Sequence, residues 1–249
     1  MDEFAADPSH PRYASLLMRH RLERAAKRGM LADSAMIAHG RGEAFDYMLG
    51  EQTTPNAMEA TKHAWLHLNT AKRPVLCLNG NVTALACDEM LQLAQILKCP
   101  VEINIFYRTP ERMEALLAFI NERKKALGVH VKVLGENPDA LLPGLKGPRA
   151  ACTVEGIFES DTILVPLEDG DRCKALVDMG KTVIVIDLNP LSRSAQRASI
   201  TIVDELSRVL NNLLALSESE VVPGERYDHR ANLSASLDWM GDAVFRQNG

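Results

Sequence analysis

The chain has 249 residues, 46% of them hydrophobic and 24% charged, enough to bury a full core and too apolar for general disorder. Aromatic residues make up only 5%, so the core must rest on aliphatic side chains and methionine. A net charge of -5 lacks the basic footprint of nucleic-acid binding, and no window approaches the roughly 18 apolar residues of a membrane helix.

Residues 1–11, MDEFAADPSHP, are acidic and carry no apolar stretch, so no secretory signal is expected. The five cysteines form no CxxC pair and have mostly apolar neighbours. Reduced thiols in or near a core, in a reducing cytoplasm, are the expectation.

The first third reads as helical. Tyr13, Leu16, Leu17 and His20 recur at helical spacing over 13–28, with Gly29 as a stop. After a stretch containing His39-Gly40-Arg41-Gly42-Glu43-Ala44-Phe45-Asp46, a second helix is expected over about 56–72, with Ala57, Ala60, Ala64 and Leu68 as its stripe. From Pro74 the pattern changes. VLCLN (75–79) is a short apolar run, followed by a helix to about Lys98 and a strand-like VEINIFY (101–107). Thr109-Pro110 makes a helix start, with Thr as N-cap and Pro at the first helical position, and Gly128 ends that helix. VHVKVL (129–134), TILVPL (162–167), TVIVIDL (182–188) and SITIV (199–203) read as further strands. Helices are expected over 171–179, from about 204 through 216, and over 231–246, the last after a linker at SESEVVPGER. Strands alternating with helices of this length predict an α/β fold with a doubly wound parallel sheet. The chain divides into a helical N-terminal region (1–73), the α/β core (74–217), and a linker with a C-terminal helix (218–249).

In such a sheet, ligands bind beyond the carboxyl ends of the strands. Those positions hold Asn79-Gly80-Asn81, Arg108, the run Glu168-Asp169-Gly170-Asp171-Arg172, and the run Asn189-Pro190-Leu191-Ser192-Arg193-Ser194. The LEDGDR run could present carboxylates to Mg2+, or could be the acidic start of a helix. Asp187 and Asn189 suit a nucleotide's hydrogen-bonding groups, and Arg193 with Ser194 suits phosphate; an Asn-Pro turn with a solvated arginine is the plain alternative. The glycines around Arg41 would let backbone approach a ligand while the guanidinium forks onto an anion. No GxxxxGK[ST] occurs, so a P-loop is excluded.

Six segments, HPRYASLLMRHRL, IAHGRGEAFDYMLGE, LNGNVTAL, INIFYRTPER, ILVPLEDGDR and VIVIDLNPLSRSA, together resemble the archaeal 4-phosphopantoate–β-alanine ligase family, also called archaeal phosphopantothenate synthetase. The resemblance covers about 9–216. It implies a Rossmann-like core, a homodimer, and a reaction of ATP, 4-phosphopantoate and β-alanine giving 4'-phosphopantothenate, AMP and diphosphate on the route to coenzyme A. Carried over by motif, the ATP contacts are Arg19, Arg41, Asp187, Leu188, Asn189, Arg193, Ser194, Glu205 and Leu206. Relatives often carry Asn where this chain has Glu205, so the contact inferred there is through the backbone. Arg41 or Arg193 is the expected catalytic cation, with Mg2+ bridging the leaving diphosphate. Glu43, His39 and Asp169 are the candidate proton acceptors for the amine. A nicotinamide oxidoreductase is disfavoured because the first βα turn reads NGNVTA instead of GxGxxG. A non-catalytic nucleotide-binding regulatory domain is the alternative of another class.

Overall fold

The computed structural model describes residues 6–219, 221 and 227–243. Residues 1–5, much of the expected linker (220 and 222–226) and the end of the expected closing helix past 243 lie outside the described residues.

Three helices open the chain: α1 (Tyr13–Lys27), α2 (Ser34–Leu49) and α3 (Pro55–Thr70). The alternating part follows as β1 (Pro74–Leu78), α4 (Gly80–Leu97), β2 (Val101–Ile103), α5 (Pro110–Leu127) and β3 (Val133–Leu134). After an irregular insertion it resumes with β4 (Thr162–Pro166), α6 (Gly170–Asp178), β5 (Thr182–Ile186), α7 (Arg193–Arg197), β6 (Ile200–Ile202) and α8 (Leu206–Ser217), and α9 (His229–Gly241) closes the described chain. The six strands form one sheet in the order β3-β2-β1-β4-β5-β6, every pair parallel. Register is set by pairs such as Leu76 with Val101 and with Leu164. The order reverses between β1 and β4, which is where a doubly wound sheet opens a crevice.

Both faces of the sheet are covered, as the continuous apolar runs require. Leu76, Leu78, Leu164, Ile184 and Ile202 pack with α1, α3, α4, α5 and α8. Val75, Cys77, Ile163, Val165, Val183 and Val185 turn to the other face, against α6 and the insertion. All five cysteines are buried and unpaired.

Side chains at the carboxyl edge start most of the helices. Asn79, Thr109, Asp169, Ser192 and Glu205 accept first-turn amide hydrogens of α4, α5, α6, α7 and α8, and each satisfies a backbone donor the helix cannot. Five helix N-termini therefore ring one edge of the sheet. Gly128 and Gly180, both at positive φ, end α5 and α6 as the sequence expects.

Three segments differ from the sequence reading. The segment around Arg41, to which the sequence assigns no element, is helical: α2 runs through both Gly40 and Gly42. Each glycine costs a helix about 1 kcal/mol, which hides the helix from a propensity reading. Gly42 has a packing reason, since a Cβ there would stand 3.3 Å from Leu188 Cδ1, whereas nothing lies within 4 Å of the corresponding position at Gly40. VEINIFY pairs only over Val101–Ile103. Asn104 then donates to the carbonyl of Ala151 at 2.9 Å and leads the chain out of the sheet. The aromatic pair Phe106–Tyr107 ends exposed, edge to face at 4.9 Å. In 129–134 only the last two residues join the sheet.

The insertion between β3 and β4 holds a two-residue antiparallel ribbon, Ala140–Leu141 with Ala151–Cys152, and a tight turn over Val154–Phe158. Glu102, fully buried on β2, caps that turn by accepting the amides of Thr153 at 2.8 Å and Ile157 at 2.7 Å. Burial pushes its carboxyl above the ordinary range despite those bonds.

The motif glycine Gly170 marks a close approach. A Cβ there would lie 2.4 Å from Arg193 Cβ and 3.1 Å from the Arg193 carbonyl carbon, so α6 and α7 can start side by side only with glycine at this position. Gly170→Ala is expected to cost about 1–3 kcal/mol in a urea unfolding titration, as overpacking does.

Candidate active site

A cavity of about 520 Å³ opens over the carboxyl edge of the sheet, roofed by α2. The switch point forms its floor. Asn79, at the end of β1, donates to the carbonyls of Pro166 (3.0 Å) and Leu167 (3.3 Å), and its Oδ1 accepts the amide of Val82 at 3.0 Å. Leu167 takes positive φ (54°) as β4 ends, a conformation a branched side chain rarely adopts and one that concentrates at functional sites.

Of the residues expected to hold ATP, Arg41, Leu188, Glu205 and Leu206 line this cavity. Arg19, Asp187, Asn189, Arg193 and Ser194 are not among the residues that line it. Arg41 is exposed on α2 and adds a positive field to Asp187. Asp187 is buried in its own turn: Oδ1 accepts the Asn189 amide at 3.0 Å, and Oδ2 accepts from the hydroxyls of Ser192 (2.5 Å) and Ser194 (3.2 Å). Burial pushes its carboxyl above the usual aspartate range against those bonds. Ser194 Oγ also reaches the carbonyl of Glu168 at 3.0 Å, tying the two site loops together. Glu205 caps α8 through the amides of Ser207 (2.9 Å) and Arg208 (3.1 Å). Arg193 is 73% exposed and pairs with Asp171.

Arg19 reaches the site through Glu43 of α2. Its guanidinium is bidentate on that carboxylate, with both Nη2 contacts at 2.8 Å. Arg12 donates to the same group at 2.8 Å, Ser15 joins through a short hydrogen bond, and Tyr47 approaches at 3.2 Å. Burial works against the charge on Glu43, but the bonds from Arg19 and Ser15 outweigh it and hold the carboxyl below the glutamate range. His39, one turn earlier and in the cavity wall, has a buried Nε2 with no hydrogen-bond partner. Its burial lowers the imidazole pKa, with Arg19 adding to the effect and Glu43 opposing it.

The LEDGDR run does not present a set of free carboxylates. Glu168 is 3% exposed and is shared by Arg149 and by Arg172, whose side chain is 1% exposed. Burial disfavours the Glu168 charge, and the two guanidiniums more than restore it. Asp171 is spent on Arg193. Asp169 faces the cavity: Oδ1 accepts the Arg172 amide at 2.8 Å and Oδ2 lies 3.7 Å from Arg149. Burial and the adjacent Glu168 charge push its carboxyl upward. Among the described residues no group of three or more His, Cys, Asp or Glu side chains is arranged to hold a metal ion.

Several residues here escape the sequence reading. Arg149 comes from the insertion, which has no periodicity to announce it. Arg112, the last residue of the INIFYRTPER segment and given no role by the sequence, lines the cavity with Nη2 on the carbonyl of Met30 at 3.1 Å. Arg108 turns away and binds the carbonyls of Gly135 (2.6 Å) and Glu136 (2.7 Å). Asp46, within the motif around Arg41, pairs with Arg208 of α8, which also takes Asp204 at 2.6 Å. In α9, Trp239 Nε1 donates to the carbonyl of Leu49 at 3.1 Å, and Leu233 and Met240 pack with Leu49 and Leu188.

The phosphopantothenate/pantothenate synthetase family model matches residues 56–240. The chain belongs to this family. Its relatives include the 4-phosphopantoate–beta-alanine ligases of Thermococcus kodakarensis, 46% identical over 96% of this chain and 93% of that protein, and Methanosarcina mazei, 44% identical over 92% and 87%. The ligase of Thermococcus onnurineus is 47% identical over 84% of this chain and 78% of its own length. The family match runs past Leu216, where the motif resemblance stops, and takes in most of α9. In this family member α9 is thus part of the common fold, holding α2 and the Leu188 turn from behind.

Arg208 is the bolt of that roof. Asp46 and Asp204 are 5% and 0% exposed, so Arg208→Met strands two buried carboxylates. The expected loss is about 3 kcal/mol or more in chemical denaturation, the scale for breaking a buried pair. Substituting Lys62, a surface residue, should leave stability within about 0.5 kcal/mol.

Proposed function

We propose that this chain joins 4-phosphopantoate to β-alanine at the expense of ATP, giving 4'-phosphopantothenate for coenzyme A biosynthesis. The observation that carries this is the near full-length similarity to ligases of that name, with the shared region spanning the cavity-forming strands and helices. We further take the enzyme to be a cytoplasmic homodimer that releases AMP and diphosphate.

In this reading the nucleotide lies over β5 and β6, against Leu188, Glu205 and Leu206, with the helix N-termini around the edge favouring its phosphates. The carboxylate of 4-phosphopantoate attacks the α-phosphorus of ATP, diphosphate leaves, and an acyl-adenylate forms. The amine of β-alanine then adds to the acyl carbon and displaces AMP. The first step needs charge stabilisation more than a proton acceptor. Arg41, which reaches the cavity from α2, offsets the growing phosphate charge. Arg193, packed against Gly170 beside the cavity residue Asp169, supports it, since a surface ion pair worth about 0–1 kcal/mol is readily exchanged for a phosphate contact. A magnesium ion arriving with the triphosphate would supply counter-charge to the leaving diphosphate. Asp169 is the cavity carboxylate placed to meet it, consistent with an ion that keeps most of its waters and phosphate ligands.

The proton of the amine goes to His39. Glu43 is occupied by Arg12, Arg19, Ser15 and Tyr47 and holds its charge too firmly. Asp169 has one oxygen in the α6 cap and the other beside Arg149, where this reading gives it to the magnesium ion. The imidazole is kept neutral by burial and has an unshared nitrogen in the cavity wall.

Incubation with ATP, Mg2+ and both organic substrates should yield AMP, which chromatography identifies. ADP would replace the adenylate by an acyl-phosphate, and bound but unconsumed ATP would favour the regulatory reading. His39→Gln should retain ATP–diphosphate exchange driven by 4-phosphopantoate while amide formation falls about 100-fold or more. A base must be deprotonated, and this imidazole titrates below the usual value of about 6.5, so the acidic fall in rate should set in below that pH. An acidic limb well above that value, or one retained in His39→Gln, would assign the proton elsewhere.

A further inference from the structure

The cavity has a second half, over β1 and β2, that the nucleotide positions leave unused. It is walled by Gly80, Asn81, Phe106, Tyr107, Arg112 and Arg149. Arg112 is partly buried, yet its partners are backbone carbonyls: Met30 at 3.1 and 3.3 Å and Tyr107 at 2.5 Å. No carboxylate among the described residues pairs with it. Gly80 is what admits it, since a Cβ there would stand 3.1 Å from Arg112 Nη2. Arg149 stands close enough to add a like charge to that of Arg112. It shares the carboxylate of Glu168 with the buried Arg172, and its Nε is buried without a partner. Two guanidiniums thus face one part of the cavity, Arg149 with a half share of the Glu168 carboxylate and the outer oxygen of Asp169 at 3.7 Å, and Arg112 with no carboxylate partner among the described residues. Burial and the charge of Arg149 both disfavour the charged form of Arg112. Placing two cations together this way is unfavourable until an anion joins them.

We infer that Arg112 and Arg149 form the subsite for the phosphomonoester of the non-nucleotide substrate. The inference rests on the ligase reading above and specifies which end of that substrate lies where. A phosphomonoester is a dianion at neutral pH and keeps its charge through both steps, so it calls for two permanent counter-charges. The substrate's carboxylate must lie against the nucleotide in the other half and loses its charge on adenylation. The carboxylate of β-alanine carries a single charge. Arg112 and Arg149 therefore anchor the phosphate end, and the acid end reaches across the switch point.

Steady-state kinetics with each substrate varied in turn, on the full chain, tests this in Arg112→Gln and Arg112→Lys, each checked for native melting. Arg149→Lys, which keeps a charge beside Glu168, is a third variant. Arg112→Gln should raise KM for 4-phosphopantoate about 10- to 100-fold, as expected for losing a charged hydrogen bond. KM for ATP and for β-alanine should stay within about threefold. Preference for 4-phosphopantoate over unphosphorylated pantoate should fall by the same factor, and Arg112→Lys should recover part of it. A rise confined to KM for β-alanine, or unchanged discrimination against pantoate, would overturn the assignment. Calorimetric titration of 4-phosphopantoate into protein holding a non-hydrolysable ATP analogue reads the subsite without turnover. Weaker binding to Arg112→Gln supports the subsite even if wild-type protein forms no product, the outcome that would sink the ligase reading alone. Equal binding by both proteins overturns the subsite.

Discussion

The site depends on how α2 is held down. This helix carries His39, Arg41 and Glu43 over the edge of the sheet, yet along its length only Asp46 and Leu49 are buried. Apolar packing alone cannot fix it, because burying one leucine side chain is worth about 1.5–3 kcal/mol, which ordering the helix largely offsets. Polar contacts supply the rest at both ends. Toward the C-terminus, Arg208 bridges Asp46 of α2 and Asp204 beyond β6, and Thr53 adds a bond to Asp204 at 2.6 Å. In the middle, Glu43 is seized by Arg12 and Arg19 of the N-terminal segment. Near the start, Asn81 reaches the carbonyl of Ala35 at 3.1 Å. Such bonds fix direction and register more sharply than apolar contacts do, and for a helix that carries His39, Arg41 and Glu43 into the cavity wall this matters more than net stability.

The same economy governs the other wall. Glu168 ends β4 inside the protein, where an isolated carboxylate would be prohibitive, and it is tolerable only because Arg172 and Arg149 both reach it. Arg172 is wholly internal and serves the fold, while Arg149 extends the arrangement into the cavity. A carboxylate shared this way leaves each arginine partly unneutralised. An acidic protein can therefore expose a positive surface where two polyanions must meet, despite a net charge of -5.

The alternation of elements was legible because its signals are local. Thr109-Pro110 starts α5 and Gly128 ends it within a residue of expectation, and the runs at 162–167 and 182–188 contain β4 and β5. Where the reading failed, a distant partner decides. Helix α2 is hidden by two glycines, one of them explained only by Leu188 far along the chain. Phe106 and Tyr107 read as strand residues because aromatic content favours a pleated surface, but Asn104 finds partners in the insertion and diverts the chain first. The ATP-side positions came from resemblance, and the structure lines the cavity with Arg41, Leu188, Glu205 and Leu206 while keeping Arg19 one contact back. Arg112 closes the segment INIFYRTPER, yet nothing in that segment marks it as a cavity residue and it looks like an ordinary helix residue, while Arg149 lies in a stretch without pattern.

That asymmetry has a physical source. A nucleotide is met at the strand ends, where a strand–turn–helix unit places backbone amides and one or two side chains from contiguous residues, and contiguous residues leave a motif. The second half of this cavity is assembled differently. Arg112 is drawn in by a carbonyl 82 residues away, and Arg149 by a carboxylate 19 residues along on another element. Neither separation recurs as a spacing, so no short pattern encodes it. On the proposed reading, the common substrate shows in the sequence and the uncommon one only in the tertiary contacts. The uncompensated charge of a partly buried arginine is the trace by which the second can be found.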